Sequence, residues 1–185
     1  RISVSGYYID RSRIVVDGHA TGVGSAAGIE LRDSFRHGPW SFYVAAAIGH
    51  ATRADRITAP DHLADLDVPV RYDALAAWTH GSWRLGARVP LRSGLPYTPV
   101  TGSIYDADTD TYSALYGKPN SARAPFRREL DLRVDHVLLG RRLHAYLDIA
   151  FDGGVLGYTY TDDFGQQLAV RAPPVLPWVG IAGTL

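Results

Sequence analysis

Residues 126–137 read FRRELDLRVDHV, from Phe126 to Val137. Alternate residues separate onto two sides of an extended chain. Phe126, Arg128, Leu130, Leu132, Val134 and His136 share one side; Arg127, Glu129, Asp131, Arg133 and Asp135 share the other. The first side is apolar through its middle and the second is charged throughout. A period of two with this contrast predicts a strand between two unlike environments. Residues 83–92 repeat it, with Trp83, Leu85, Ala87, Val89 and Leu91 against Arg84, Gly86, Arg88, Pro90 and Arg92. Residues 142–151 repeat it again, with Leu143, Ala145, Leu147, Ile149 and Phe151 against Arg142, His144, Tyr146, Asp148 and Ala150.

Working outward, weaker members of the same pattern run from Arg1 to about Val16 and from about Thr21 to Arg36. Others run from Trp40 to Arg53, Val70 to Thr79 and Leu176 to Leu185. The two Ala-rich runs, 40–53 and 70–79, leave their inward side undetermined. Asp17-Gly18 between the first two is a hairpin signal. Eight strands are therefore expected. Their connections alternate in length. Residues 36–39, 80–82 and 139–141 are tight turns, whereas 58–69, 98–124 and 152–174 are long and polar. Alternation of this kind gathers the tight turns at one end of an up-and-down sheet, as in outer-membrane barrels.

Composition bounds the alternatives. The 185 residues carry no net charge, no Cys and no Met. Absence of Cys removes disulfides and thiol chemistry, and balanced charge argues against a nucleic-acid partner. The 11 Tyr, 19 Gly and 11 Pro favour strands and turns over long helices. Mean hydropathy is −0.09, and no apolar run is long enough for a spanning helix. A spanning barrel stays compatible, because its strands alternate. The chain begins at Arg1 and shows no signal-peptide pattern, so a processed form, a fragment or an engineered chain is expected.

The fold class expected is thus all-β: a transmembrane up-and-down antiparallel β-barrel of about eight strands, formed by residues 1–185 as one domain without a plug. Lipid supplies no hydrogen bonds, so a spanning sheet must close. Tyr7, Tyr8, Trp40, Tyr43, Trp78 and Trp83 lie near strand ends and are expected to form interfacial girdles. A soluble ligand-binding barrel would use the same alternation with Leu130, Leu132 and Val134 turned inward.

Residues 92–135, RSGLPYTPVTGSIYDADTDTYSALYGKPNSARAPFRRELDLRVD, resemble the C-terminal barrel region of TonB-dependent outer-membrane receptors. The resemblance rests on Ser93-Gly94-Leu95-Pro96-Tyr97-Thr98-Pro99, then Asn120-Ser121-Ala122-Arg123-Ala124-Pro125 and Leu130-Asp131-Leu132-Arg133-Val134-Asp135. VSGYYIDRSRIVV, TGVGSAAGIEL and LPWVGIAGTL resemble further strands of that family. The family forms barrels of about 22 strands around a plug. Neither a plug nor a TonB box is recognisable here. Leu185 stands where the family closes on an aromatic residue, and 150–154 depart from its strand end. The resemblance implies a bacterial outer-membrane location with periplasmic termini, lipid and the barrel-insertion machinery as partners, and TonB only within a full receptor.

An eight-stranded barrel has a lumen filled by side chains. The expected lumen charge network is Arg84, Arg88, Arg92, Glu129, Asp131, Arg133, Asp135, His144 and Asp148. The expected lipid-facing set is Leu85, Val89, Leu130, Leu132, Val134, Leu143, Leu147, Ile149, Val179 and Ile181. The leading expectation is a structural or scaffold barrel; the alternatives are a wall segment of a nutrient transporter and the soluble barrel. No catalytic residue, metal ligand or cofactor is expected. Asp106-Ala107-Asp108-Thr109-Asp110 has calcium-loop spacing, but Thr111 and Gly117 replace the required Gly and Glu, so it reads as a solvated turn. Gly22 to Gly28 misses the dinucleotide fingerprint and reads as strand with close backbone approach. The seven His include no HExxH pair, and no Ser has a nucleophile elbow.

Overall fold

The computed structural model describes residues 1–138, 143–160 and 167–183. The chain is all-β. Eight long strands form one antiparallel meander: β1 (Ile2–Val16), β2 (His19–His37), β3 (Trp40–Ala54), β5 (Val70–His80), β6 (Trp83–Arg92), β11 (Arg127–Leu138), β12 (Leu143–Asp152) and β15 (Val175–Gly183), paired in that order. Their bounds fall within about two residues of the periodicity reading. The long connections carry structure that alternation did not predict. The short strand β4 (His62–Leu63) extends the sheet beside β3. β7 (Pro96–Tyr97) pairs with β10 (Ala122–Arg123), and separate hairpins form from β8 (Val100–Asp106) with β9 (Thr111–Tyr116) and from β13 (Val155–Tyr160) with β14 (Gln167–Arg171). The expected tight turn at 139–141, and Arg142, lie outside the described residues.

Two turns have the backbone their residues predict. Asp17 and Gly18 both take positive φ, 48° and 79°, the geometry a two-residue hairpin needs to match strand twist. Register then propagates from the tight turns: His37 faces Trp40 across the first, and His80 faces Trp83 across the second.

The sheet is open. Among the described residues no ladder joins β1 to β15; β1 pairs with β2 alone and β15 with β12 alone. The expected first-to-last closure over 1–10 and 176–185 is therefore not formed among the described residues. Of the three aliphatics whose direction separates the two media, Leu130 and Leu132 are exposed and Val134 is partly covered.

An apolar core is almost missing. Among the described residues only Ala54, Ala77, Val155 and Ala172 are buried apolar groups. The chain exposes 13066 Å², about half as much again as the roughly 8,800 Å² expected of a folded soluble monomer of this mass. Among the described residues no second layer packs across either face of the main sheet, so its large side chains remain uncovered.

Candidate functional site: two unlike faces and a loop-end clamp

Opposed residues in an antiparallel pair share a face, so the registers define each face across all eight strands. One face is apolar. It carries Leu85 beside Val134 and Ala87 beside Leu132 from β6 to β11. It continues with Val134 beside Leu147 and Leu132 beside Ile149, then Leu147 beside Val179 and Ala145 beside Ile181. Val89 and Leu130 lie on the same side, and Leu143 pairs with Leu138. Leu132 is 37% exposed and Val179 81%; Val134, Leu143 and Ile149 are partly covered by their neighbours.

Aromatic and imidazole rings edge this face at the tight-turn end. Phe35 stacks on Phe42 at 5.7 Å, Trp40 on Phe42 at 6.0 Å and Trp78 on His80 at 5.5 Å, while Trp83 lies 4.1 Å from His136. Trp40 faces Trp78, and Trp83 faces both His80 and His136. Two members of the expected girdle are misplaced. Tyr7 and Tyr43 project from the opposite face, since Tyr7 faces Gly28 and Tyr43 faces Leu75. Nearness to a strand end says nothing about parity, and one step along the strand reverses the side. Tyr7 instead lies over a glycine: a Cβ at Gly28 would come 2.6 Å from its hydroxyl. This accounts for one of the close approaches read from the Gly-rich run.

The other face is cross-linked by ion pairs. Arg88 grips Asp73 through two guanidinium nitrogens and stands 3.8 Å from Asp131. Glu129 accepts from Arg92 at 3.0 Å and forms an ion pair with Arg127 at the same distance, and Arg127 also pairs with Asp152. Arg133 bridges Asp135 at 2.7 Å and Asp148 at 2.8 Å, with its guanidinium 4.4 Å above the Tyr146 ring. The chain β5–β6–β11–β12 is thus tied side to side. Arg84, expected in this network, faces Asp135 across the sheet, and His144 faces Val137 and Ala182; neither makes an ion pair among the described residues. His144 does not reach Asp148, which Arg133 holds. Asp73, Arg127 and Asp152 join the network beyond the residues expected from the sequence. Alternation already put Arg127 on the charged side. Asp73 sits in an Ala-rich strand whose alternation does not mark a side, and Asp152 falls at the edge of a long polar connection.

At the loop end a third assembly joins the long connections to β3. Asp67 is only 2% exposed. Its carboxylate accepts from the Ala51 amide at 2.7 Å and from Arg123 Nη2 at 2.5 Å. Arg123 Nη1 donates to the carbonyls of Asp67 and Gly94 at 2.7 and 2.8 Å. Asn120, also buried and with φ at 50°, donates through Nδ2 to the Leu63 carbonyl and to Asp65, both at 2.7 Å, while its amide donates to Thr98 Oγ1 at 3.1 Å. The two family-like motifs therefore meet: Pro96-Tyr97 pairs with Ala122-Arg123. Gly94 is needed there, because a Cβ would run into the Ala124 carbonyl.

The acidic loop motif closes the β8–β9 hairpin. Asp106 accepts from the Asp108 amide at 3.0 Å, and that hydrogen bond, with others from Thr109, holds its carboxyl below the usual range. The Tyr105 hydroxyl donates to Asp110 at 2.9 Å, which raises the Tyr105 phenol above its ordinary value. Among the described residues no group of three His, Asp or Glu is arranged to hold a metal. No protein-family model, curated protein or solved structure matches this chain significantly.

Proposed function

We propose that the chain is a wall segment of a bacterial outer-membrane β-barrel of the TonB-dependent receptor type. Its apolar face meets lipid and its ion-paired face lines the lumen. The observation that carries this reading is the single uncovered apolar face across eight strands, edged by Trp and His at the tight-turn end and backed by salt bridges. Water would leave that face as a very large exposed patch. Hydrocarbon would bury it. From Trp83 to Leu91 the face is eight steps long, about 27 Å along the strand or roughly 20 Å along a normal tilted by 40°, near the height of an outer-membrane apolar band.

The wall reading displaces the self-contained scaffold barrel because, among the described residues, β1 and β15 leave the outer edges of the sheet unpaired. Backbone groups on a free edge cannot be satisfied in lipid, so further strands must take those edges. The wall itself carries no catalysis; it supplies a lumen surface for nutrient passage, with TonB and the insertion machinery acting on the complete barrel. The test is fluorescence of the full chain in mixed micles of detergent and phospholipid brominated near the glycerol end of its chains. Trp40, Trp78 and Trp83 are expected to be quenched, and Trp178, on the polar face opposite Asp148, to be spared. A chain that is monomeric without detergent and unaffected by brominated lipid would remove the reading.

A further inference from the structure

The charged face holds a hollow that the wall reading does not explain. It has a volume of about 300 Å³ and lies over Ala45 and Ala47 of β3, between Glu30 and Arg32 of β2 and Arg71 and Asp73 of β5. Register sets this arrangement: Ala45 faces Arg32 and Asp73, and Ala47 faces Glu30 and Arg71. Two methyl groups between four charged side chains leave a trough with an apolar floor and ionic walls.

The charges around it do not balance. Every acid on the charged face of the long strands from β2 to β12 has an arginine partner among the described residues. Arg88 and Arg133 each answer two acids, so some arginines are left without one. Arg71 is exposed and is one of these. Glu30 is held by Arg32 at 2.8 Å, and both oxygens of Asp73 are taken by Arg88. Across the ladder Arg71 faces Arg92, which in turn faces Arg127. Like charges directly opposite one another are unfavourable, and Glu129 serves the other two. The complement missing beside Arg71 is an anion. A neighbouring hollow of about 350 Å³, over Ala77 and Gly86, provides the contrast: there Arg84, Arg88 and Arg133 stand among Asp131, Asp135 and Asp148, and the lining is neutral.

Donors reach the hollow from both walls. Arg71 presents a whole guanidinium fork, Arg32 keeps Nε and Nη1 after Glu30 has taken Nη2, and Tyr43 adds a hydroxyl. A planar carboxylate is satisfied by a single fork. A tetrahedral oxyanion has oxygens pointing in several directions and takes donors from opposite walls at once. We propose that this hollow binds the phosphate group of a small anionic solute, held between Arg71 and Arg32 with Tyr43 donating to a third oxygen. The volume suits a phosphate bearing a short organic group. The seat belongs to the charged face whatever meets the opposite one; that such a solute traverses a lumen rests on the wall reading.

Calorimetry and phosphorus NMR on the full refolded chain in nonionic detergent test it with inorganic phosphate and glycerol 2-phosphate, and with acetate as the planar anion. Saturable binding of both phosphates is expected, weakened by added sodium chloride and about tenfold tighter than that of acetate. Arg71→Gln removes one fork, and Ala47→Leu fills the floor without touching a charge; each is expected to weaken binding about tenfold. Arg84→Gln, the same loss of charge in the neighbouring hollow, changes affinity by less than about threefold. The heat-induced gel shift and thermal melting report whether each variant folds, and Arg71, with no ion pair to lose, keeps the test decisive if Ala47→Leu does not. Failure of both phosphates to bind overturns the proposal. So does acetate binding as tightly as phosphate, or phosphate binding that survives Arg71→Gln. Brominated-lipid quenching on the same samples separates the two readings: quenching without phosphate binding removes the seat alone, whereas phosphate binding without quenching keeps the seat and removes its place in a lumen.

Discussion

Arg123 is the residue on which the loop end depends most directly. Its guanidinium reaches three acceptors on two connections, and one of them is the carboxylate of Asp67, which is out of reach of water. Removing it strands a buried negative charge beside the Ala51 amide. Arg123→Ala is expected to lower stability by roughly 3 kcal/mol, read from the urea midpoint of the refolded chain in detergent, whereas Arg128→Ala, an exposed side chain, stays within about 0.5 kcal/mol. Arg123→Lys recovers only part of the loss, since an ammonium cannot span the same fork. At the β8–β9 tip, Asp106 has a folded-state carboxyl pKa held down by the Asp108 and Thr109 bonds. A lowered acid contributes its stabilisation fully above the ordinary carboxylate range and loses it as pH falls through the lowered midpoint. An NMR titration is expected to place the Asp106 midpoint below the ordinary value of about 3.9, with the Asp108 amide shift following the same curve. A midpoint at or above the ordinary value would contradict the turn described here.

At the scale of the element, β11 is the clearest strand because its two sides meet different partners. Glu129, Asp131, Arg133 and Asp135 find opposite charges on β6, β12 or β11 itself, while Leu130 and Leu132 find apolar neighbours, among them Phe151 and Ile149, and open surface. The proposed lipid contact makes this asymmetry measurable. Leu132→Arg is expected to cost about 2–4 kcal/mol if hydrocarbon covers that face, but within about 0.5 kcal/mol if water does. Folding titrations in lipid vesicles or micelles separate the two. Much of this element was legible in residues 126–137 alone. The Ala-rich β3 and β5 were not: Ala45 and Ala47 carry too little side chain to mark a side, and only pairing with Arg32, Arg71 and Asp73 reveals which face they join.

At the scale of the whole molecule, the sheet ends at β1 and β15, and among the described residues neither has a partner on its outer edge. A chain without Cys is convenient for testing this, because introduced thiols have no background. Val4→Cys with Val179→Cys is expected to give no intramolecular disulfide under oxidation, since the two positions lie on opposite edges. A positive control, Val134→Cys with Leu147→Cys, opposed residues of β11 and β12, is expected to cross-link within the chain. An efficient Val4–Val179 cross-link would restore the closed eight-stranded barrel.

The amino-acid sequence by itself determined the class of structure, the extent of eight strands and the contrast between their sides. All of these follow from a period of two, and periodicity is a local property: each residue takes its side from its neighbour. Tertiary structure alone decided the rest. Arg88 takes Asp73, Arg133 takes Asp148, Tyr7 covers Gly28, and Asp67 is locked under Arg123 because of register and loop packing across 15 to 56 positions of chain. Side-chain alternation repeats identically at every shift of two residues, so it cannot choose among registers. Only the turns, the clamp and the summed pairing of the strands could make that choice.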